Sequence, residues 1–267
     1  MMTIPLDYHI HTDFSCDSDA TMIEMCRSAI EKGIPEIGFS EHFDLMPQEE
    51  CRNYLQVDAF WEDLLECRRA FRGSLIIRAG VELGEPHHFK DEVADLLNQY
   101  PWDYSLASMH WVGSGNIFYP EFFEQPAEQV YRPYFLELAR MAAEAEFDVV
   151  AHFDMVKRRG FDAYGVFDPC DYENEIRNVL KTLAEKDRAL EVNTATLRRP
   201  VKELCPGVTI LKWFKEAGGK WITLGSDAHR PDQVGYGLLQ ALAMLRSAGF
   251  EYLAGFEARQ ATPIQLL

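Results

Sequence analysis

The chain has 267 residues, 47% of them hydrophobic and 26% charged, and carries a formal net charge of −17. That length is ample for a sizeable core and suits one α/β barrel domain spanning residues 1–267, while the negative charge repels nucleic acid and anionic membranes at long range. No apolar stretch approaches the ~20 residues that span a bilayer, and no basic, apolar leader opens the sequence, so a cytoplasmic protein with a small-molecule partner is expected.

Apolar runs alternate with amphipathic ones along the chain. The first run, Ile4 to Thr12, ends in His9-Ile10-His11. Alternate side chains of a strand share a face, so the two imidazoles project together with Ile10 opposite. Helical spacing then predicts a helix over Ala20–Lys32, stopped by Gly33. A buried strand over Glu36–Phe39 leads into Ser40-Glu41-His42, and a helix over Val57–Phe71 follows. The strand Leu75–Val81 ends at Glu82 and precedes a short helix over Lys90–Asn98. Asp103–Ala107 leads into Ser108-Met109-His110, and a long helix runs from Glu128 to Glu146. Phe147–Ala151 leads into His152-Phe153-Asp154, followed by a helix over Asp171–Lys186. Ala189–Val192 contains Glu191 and reaches Asn193, with a helix over Val208–Ala217. Trp221–Leu224 leads into Ser226-Asp227-Ala228-His229, with a helix over Gln233–Ala248. Seven strand–helix units and a short final run, Tyr252–Ala254, predict a parallel barrel closed on itself.

Two longer connections, Phe43–Gln56 and Trp111–Gln129, follow strands with candidate ligands and are candidate pocket walls. Trp111, Phe118 and Tyr119 are the aromatic candidates within the second. The six cysteines show no Cys-x-x-Cys spacing, which predicts free thiols in a reduced compartment. Cys16 reads as a small packed thiol beside the site.

Imidazoles and carboxylates at one strand end after another are not a product of core packing, since ionised carboxylates are rarely buried without partners. Active sites of such barrels lie at the carboxyl ends of the strands. His9, His11, His42, Glu82, His110, His152, Asp227 and His229 all fall there. Tetrahedral zinc takes about four groups, so this set suits two or three divalent ions, with Glu82 bridging. Zinc, manganese and iron are all compatible with the donors.

The ordered segments His-Ile-His-Thr (9–12), Ser-Glu-His (40–42), Glu82, Ser-Met-His (108–110), His-Phe-Asp (152–154) and Ser-Asp-Ala-His (226–229) resemble the PHP family of metal-dependent phosphoesterases. Within it, Phe14-Ser-Cys-Asp-Ser, His152 to Arg158 and Glu191-Val-Asn-Thr resemble the stand-alone histidinol-phosphate phosphatases. The resemblance implies a distorted (β/α)7 TIM-like barrel with three divalent ions. It places His9, His11, Glu82 and Asp227 at the first ion, Glu82, His110 and His152 at the second, and Asp17, His42 and His229 at the third. Many relatives carry histidine where this chain has Asp17, and aspartate shifts that site toward harder metals. Asp13 reads as a capping or supporting residue.

The implied reaction is hydrolysis of L-histidinol phosphate by a metal-bound hydroxide, since divalent metals lower the pKa of bound water to about 7. Glu82, Asp227 and His229 are the implied catalytic residues, and His42 an implied substrate contact. Phosphate-contacting arginines are implied at Arg158 and Arg198, with Arg159 and Arg199 alongside them as alternatives. Glu41 reads as an orienting residue or a contact for a cationic substrate group. Asp154 reads as the orienter of a histidine ligand, and His87-His88 as exposed loop.

Overall fold

A computed structural model describes residues 3–266. Seven strands form one parallel sheet in the order β1 (Asp7–Ile10), β2 (Glu36–Phe43), β3 (Ile76–Gly84), β4 (Tyr104–Ser108), β7 (Val149–Val150), β8 (Ala189–Asn193) and β9 (Ile222–Gly225). The last strand returns to the first: Ile10 bridges Ala228, with the His11 amide donating to the Ala228 carbonyl at 2.9 Å. The result is a nearly closed (β/α)7 TIM-like barrel.

The helices between the strands are α1 (Met22–Glu31), α2 (Val57–Ala70), α3 (Lys90–Gln99), α4 (Ala127–Glu144), α5 (Lys157–Tyr164), α6 (Glu173–Glu185), α7 (Val208–Glu216) and α8 (Leu238–Ser247). Thr21 starts α1 with a capping box, its side chain and that of Glu24 each satisfying the other's backbone N–H. Helix α8 begins later than the spacing predicts, because Gly235 and Gly237 take positive φ and hold the chain in turns before it. Helix α5 was not foreseen. Its sequence, Lys157-Arg-Arg-Gly-Phe-Asp-Ala-Tyr, has a mid-helix glycine and no apolar stripe. Gly160 is required there because a Cβ would meet the Tyr131 hydroxyl at 2.0 Å.

Strand β2 runs four residues beyond its apolar core, so His42 is part of the strand and pairs in register with Glu82. Inside the barrel, Tyr8 and Tyr104 stack with ring centroids 4.9 Å apart, and the Tyr104 hydroxyl donates to the Tyr8 carbonyl at 2.7 Å. The neighbouring strands make room with glycine: a Cβ on Gly38 or Gly80 would lie 2.2 Å from Tyr104.

The final run does not belong to the barrel wall. β10 (Tyr252–Glu257) pairs antiparallel with β11 (Gln260–Gln265) around Ala258 and Arg259, both at positive φ, as a two-residue hairpin turn demands. Phe256 N–H donates to the Tyr8 hydroxyl at 3.1 Å, and Arg259 N–H donates to the Asp103 carbonyl at 2.8 Å. The Arg259 guanidinium reaches Asp148 at 2.9 Å. Asp103 and Asp148 precede β4 and β7, so the hairpin covers the amino end of the barrel, opposite the histidines. Between β4 and α4, β5 (Trp111–Val112) and β6 (Gly115–Asn116) form a minimal hairpin.

The expectation of free thiols fails for one pair. Cys16 and Cys51 are joined as a disulfide, with Cα atoms 5.6 Å apart. Cys16 is therefore not a packed thiol; the bond ties the loop after β1 to the Phe43–Gln56 connection. Cys26, Cys67, Cys170 and Cys205 are free.

Candidate metal centre and adjoining cleft

Glu82 stands at the centre of the histidine cluster, almost fully buried. Its Oε2 lies 3.2 Å from His9 Nε2, 3.4 Å from His11 Nε2 and 3.0 Å from His42 Nδ1. Its Oε1 lies 2.9 Å from His152 Nε2 and 3.6 Å from His110 Nε2. Asp227 Oδ1 is 3.5 Å from His11 Nε2, 4.0 Å from His9 Nε2 and 3.4 Å from His229 Nδ1. Asp17 spans His229 Nε2 at 2.9 Å and His42 Nε2 at 3.6 Å. Three donor groups close enough to share an ion result: His9, His11 and Asp227; His9, Glu82 and His152; and His11, His42 and His229. His110 sits beside the second, its ring 5.3 Å from that of His152. Two of these residues hold left-handed backbone without being glycine, His152 at φ 23° and Asp227 at φ 52°, a strain that persists where surroundings fix it.

The hydrogen bonds behind the cluster set the histidine tautomers. Ser15 Oγ donates its one proton to Glu41 at 2.6 Å, so it accepts from His11 Nδ1 at 3.1 Å. Glu191, at 2.6 Å, accepts from His9 Nδ1. Each neutral ring is then left with a bare Nε2 lone pair directed at carboxylate oxygens, and His11 Nε2 and His42 Nδ1 are buried without a hydrogen-bond partner. Lone pairs facing carboxylates repel unless a cation lies between them. The titration directions agree. Burial opposes charge on His9, yet Glu191 and Glu82 hold its pKa well above the ordinary value. Burial likewise opposes charge on His42, which Glu82 and Asp17 hold up. Burial also opposes ionisation of Glu82, yet His9 and His42 keep it well below the usual carboxylate range. His11 is instead held well below the ordinary value by burial and by His42 and His229, so the cluster favours positive charge beside Glu82 but not on every ring, a balance that divalent ions would supply with all the rings neutral. The donor set therefore fits divalent metals: imidazoles and carboxylates in mutual reach, with oriented rings behind them.

Several supporting residues escaped the sequence. Glu191 was visible only as one more strand-end carboxylate. It also accepts the His152 amide at 2.7 Å and the Asn193 amide group at 3.2 Å. Asp44, two residues past His42, is buried within 4.0 Å of His42 Nδ1 and His110 Nδ1; burial raises its pKa to about 7 against the pull of His42. Glu85, at φ 44°, accepts the His110 and Trp111 amides and so fixes the loop after β4.

Other expectations are corrected. Of the two roles open to Glu41, the structure favours the orienting one: it is buried and accepts from Thr12 N at 2.9 Å, Thr12 Oγ1 at 2.7 Å and Ser15 Oγ. It orients His11 through Ser15. Asp154 orients no histidine, taking instead Lys157 Nζ at 2.8 Å and Cys205 Sγ at 2.8 Å in a closed buried network. His87 is not exposed loop; it packs beneath His88, and both reach Glu137, at 2.8 and 3.2 Å. Asp13 is exposed, with its amide bonded to Ala20.

The cluster opens into a cavity of about 190 Å3 lined by Phe118, Met155 and Arg158 besides the ligand candidates. This continues past Asp17, Arg158, Asp227 and His229 into a cleft of about 500 Å3 that adds Arg198, Arg199, Arg230 and Gln233. Arg158 is half-buried with its guanidinium 5.2 Å from the Phe118 ring centre. Arg159 turns away to the Phe118 carbonyl and Asp162. Arg198 gives two N–H groups to the Ser226 and Asp227 carbonyls, at 2.9 and 2.8 Å, bracing the loop that carries Asp227. Trp111 Nε1 donates to Glu49 at 2.9 Å, joining the two long connections. Trp111 and Tyr119 line a separate groove of about 620 Å3.

The PHP domain matches residues 7–195. Histidinol-phosphatase from Lactococcus lactis subsp. lactis (strain IL1403) is 30% identical over 255 residues, covering 94% of each chain. A probable histidinol-phosphatase from Deinococcus radiodurans is 28% identical, covering 93% of this chain and 95% of its own. The crystal structure of the Lactococcus lactis histidinol phosphate phosphatase, complexed with zinc, L-histidinol and phosphate, superposes with a TM-score of 0.87 at 28% identity, over 97% of this chain and 98% of that one. A match across most of the barrel, joined to a 30% identical relative along nearly the whole length, shows that the chain belongs to the PHP-domain family.

Proposed function

We propose that this protein is a phosphoric monoester hydrolase that uses divalent metals to convert L-histidinol phosphate to L-histidinol and inorganic phosphate. The carrying observation is the likeness, over 97% of the chain, to a structure that holds zinc, L-histidinol and phosphate together. The donor geometry supports it independently, because three ligand groups meet at Glu82 and open toward an arginine-lined cleft. We read the whole chain as one PHP-type domain, acting in the cytoplasm on a small phosphorylated substrate and not on nucleic acid; the charge of −17 supports the last point.

Two or three ions, of zinc, manganese or iron, would be held by His9, His11, Glu82 and Asp227, by Glu82, His110 and His152, and by Asp17, His42 and His229. When bound, such ions supply Lewis acidity at the phosphoryl oxygens and a water acidified to near neutrality. The chain's own residues do the rest. Ser15 and Glu191 fix the tautomers of His11 and His9. Arg158 brings positive charge to the mouth of the cavity, where developing phosphoryl charge needs preorganised donors. Arg198 keeps three further N–H groups for an oxyanion while holding the Asp227 loop. Turnover depends on Glu82, Asp227 and His229 because each joins two or more of the neighbouring donors, and His42 faces both ligand residues and cavity.

The test is phosphate release from a panel of esters at equal metal loading. L-histidinol phosphate is expected to exceed aryl, sugar and nucleotide phosphates in kcat/KM by at least ~100-fold, the scale of one or two satisfied polar contacts. Equal values across the panel, or a preferred nucleotide, would remove histidinol phosphate and leave a general phosphoesterase.

A further inference from the structure

The cleft outside the metal cavity carries more positive charge than one phosphate monoester at the metals requires. Arg158, Arg198, Arg199 and Arg230 all line it, in a chain whose net charge is −17. Its two carboxylates, Asp17 and Asp227, are both committed to histidines. Arg198 is engaged with backbone carbonyls. Arg199 and Arg230 are exposed, and neither pairs with a carboxylate among the described residues, whereas Arg159 close by pairs with Asp162. The arginines press on one another: Arg158 is pushed down to about 10 by burial and then by Arg199. Uncompensated guanidinium groups gathered in a concave cleft make a site for a multivalent anion, and a phosphate dianion matches their forked donors.

We infer that Arg199 and Arg230 form an outer anion subsite that captures the phosphate of the incoming ester before it reaches the metal cavity and holds inorganic phosphate on its way out. The inference rests on the phosphatase reading and adds to it a second, metal-independent station. Geometry sets the two stations side by side. The cavity of about 190 Å3 shares Asp17, Arg158, Asp227 and His229 with the cleft of about 500 Å3, and Arg199 and Arg230 line the cleft but not the cavity, so an ester that reaches the cavity through the cleft passes them. The subsite also answers an electrostatic problem. An acidic surface repels a dianionic substrate, and clustered positive charge at the mouth of a cleft restores the encounter rate locally.

The experiment compares the metal-loaded wild type with Arg199→Gln, Arg230→Gln and the double variant. Steady-state phosphate release is followed from 20 to 500 mM salt, with inorganic phosphate as product inhibitor. The double variant is expected to lose roughly tenfold in kcat/KM at low salt, to show a flatter salt dependence, and to raise the inhibition constant for phosphate by a similar factor. kcat should fall much less than kcat/KM, and metal content and Tm should match the wild type. Wild-type salt dependence and phosphate inhibition in the double variant would overturn the subsite, and so would a flattened salt dependence with unchanged phosphate inhibition, which is steering without binding. A proportional loss in kcat with metal loss would place these arginines in the metal centre and overturn it too. Equilibrium dialysis of radiolabelled inorganic phosphate against the metal-stripped wild type and double variant reads the metal-independent subsite directly: binding in the wild type that the double variant loses is expected, and equal binding by the two would overturn it. The dialysis still reads the subsite if histidinol phosphate proves not to be the substrate, which keeps the two failures apart.

Discussion

Replacing Glu82 with Gln tests the metal centre at its most connected point. The carboxylate lies 2.9–3.6 Å from ring nitrogens of five histidines, His9, His11, His42, His110 and His152. It also accepts from the Ser108 hydroxyl. Glutamine keeps the shape and one carbonyl oxygen but removes the charge. A unit charge and a divalent ion 4 Å apart interact by about 8 kcal/mol at an effective dielectric of 20, twice the figure for two unit charges. Relief from burying a carboxylate offsets part of this, and a net loss of ~4 kcal/mol corresponds to roughly a thousandfold in kcat/KM. The barrel does not lean on the charge, since the Tyr8–Tyr104 layer and the hairpin that covers its amino end lie away from it. The assay pairs phosphate release with elemental metal analysis and circular dichroism. Expected are a native fold, a substoichiometric metal content and activity near background. Full metal content with wild-type turnover would refute the bridging role and with it the multinuclear reading.

Arg158→Met should raise KM for phosphate esters and lower kcat/KM tenfold to a hundredfold, the range for a charge-assisted hydrogen bond of ~1.5–3 kcal/mol. Arg159→Met should change neither, because Arg159 faces the Phe118 carbonyl and Asp162; kinetics showing the reverse would exchange the two roles. Alkylation of the denatured protein without reductant should label four of its six cysteines, and all six after reduction, with Cys16 and Cys51 the protected pair in peptide mapping. Six labels before reduction would show that the bond does not form in solution. Gly38→Ala drives a methyl group to within 2.2 Å of the Tyr104 hydroxyl and should cost about 1–3 kcal/mol, seen as a Tm lower by roughly 2–10 °C. Adding Tyr104→Phe should recover part of that loss; no recovery would mean the clash is relieved elsewhere.

How much of this was legible in the sequence follows from where each signal resides. The barrel strands announce themselves because parallel strands buried on both faces read as short continuous apolar runs. The ligand candidates stand where those runs end, as polar side chains no core would hold. His42 shows the limit: its strand continues through Ser40-Glu41-His42, because a strand facing a polar centre need not be apolar there. The terminal hairpin was misread for a related reason. Tyr252–Ala254 looks like another buried run, and only the positive φ at Ala258 and Arg259, which neither residue type advertises, turns it back antiparallel. Helix α5 lacks an apolar stripe because it lies over the mouth of the site and buries Lys157 against Asp154. The supporting shell was hardest to see. Glu41, Asp44, Glu85 and Asp154 are all buried acids within two or three residues of a ligand candidate or strand end. Sequence spacing cannot tell which of them faces a ring nitrogen, a backbone amide or a lysine. That choice is made by side-chain direction. Glu41 points out of the barrel toward Thr12 and Ser15, while its neighbour His42 points in toward Glu82. One-residue alternation along a strand therefore separates a metal-facing side chain from its support. It also makes the support testable apart from the ligands: a Ser15→Ala change removes the acceptor of His11 Nδ1 and of the His42 amide, at 3.1 Å each, and leaves every side chain that lines the cavity in place.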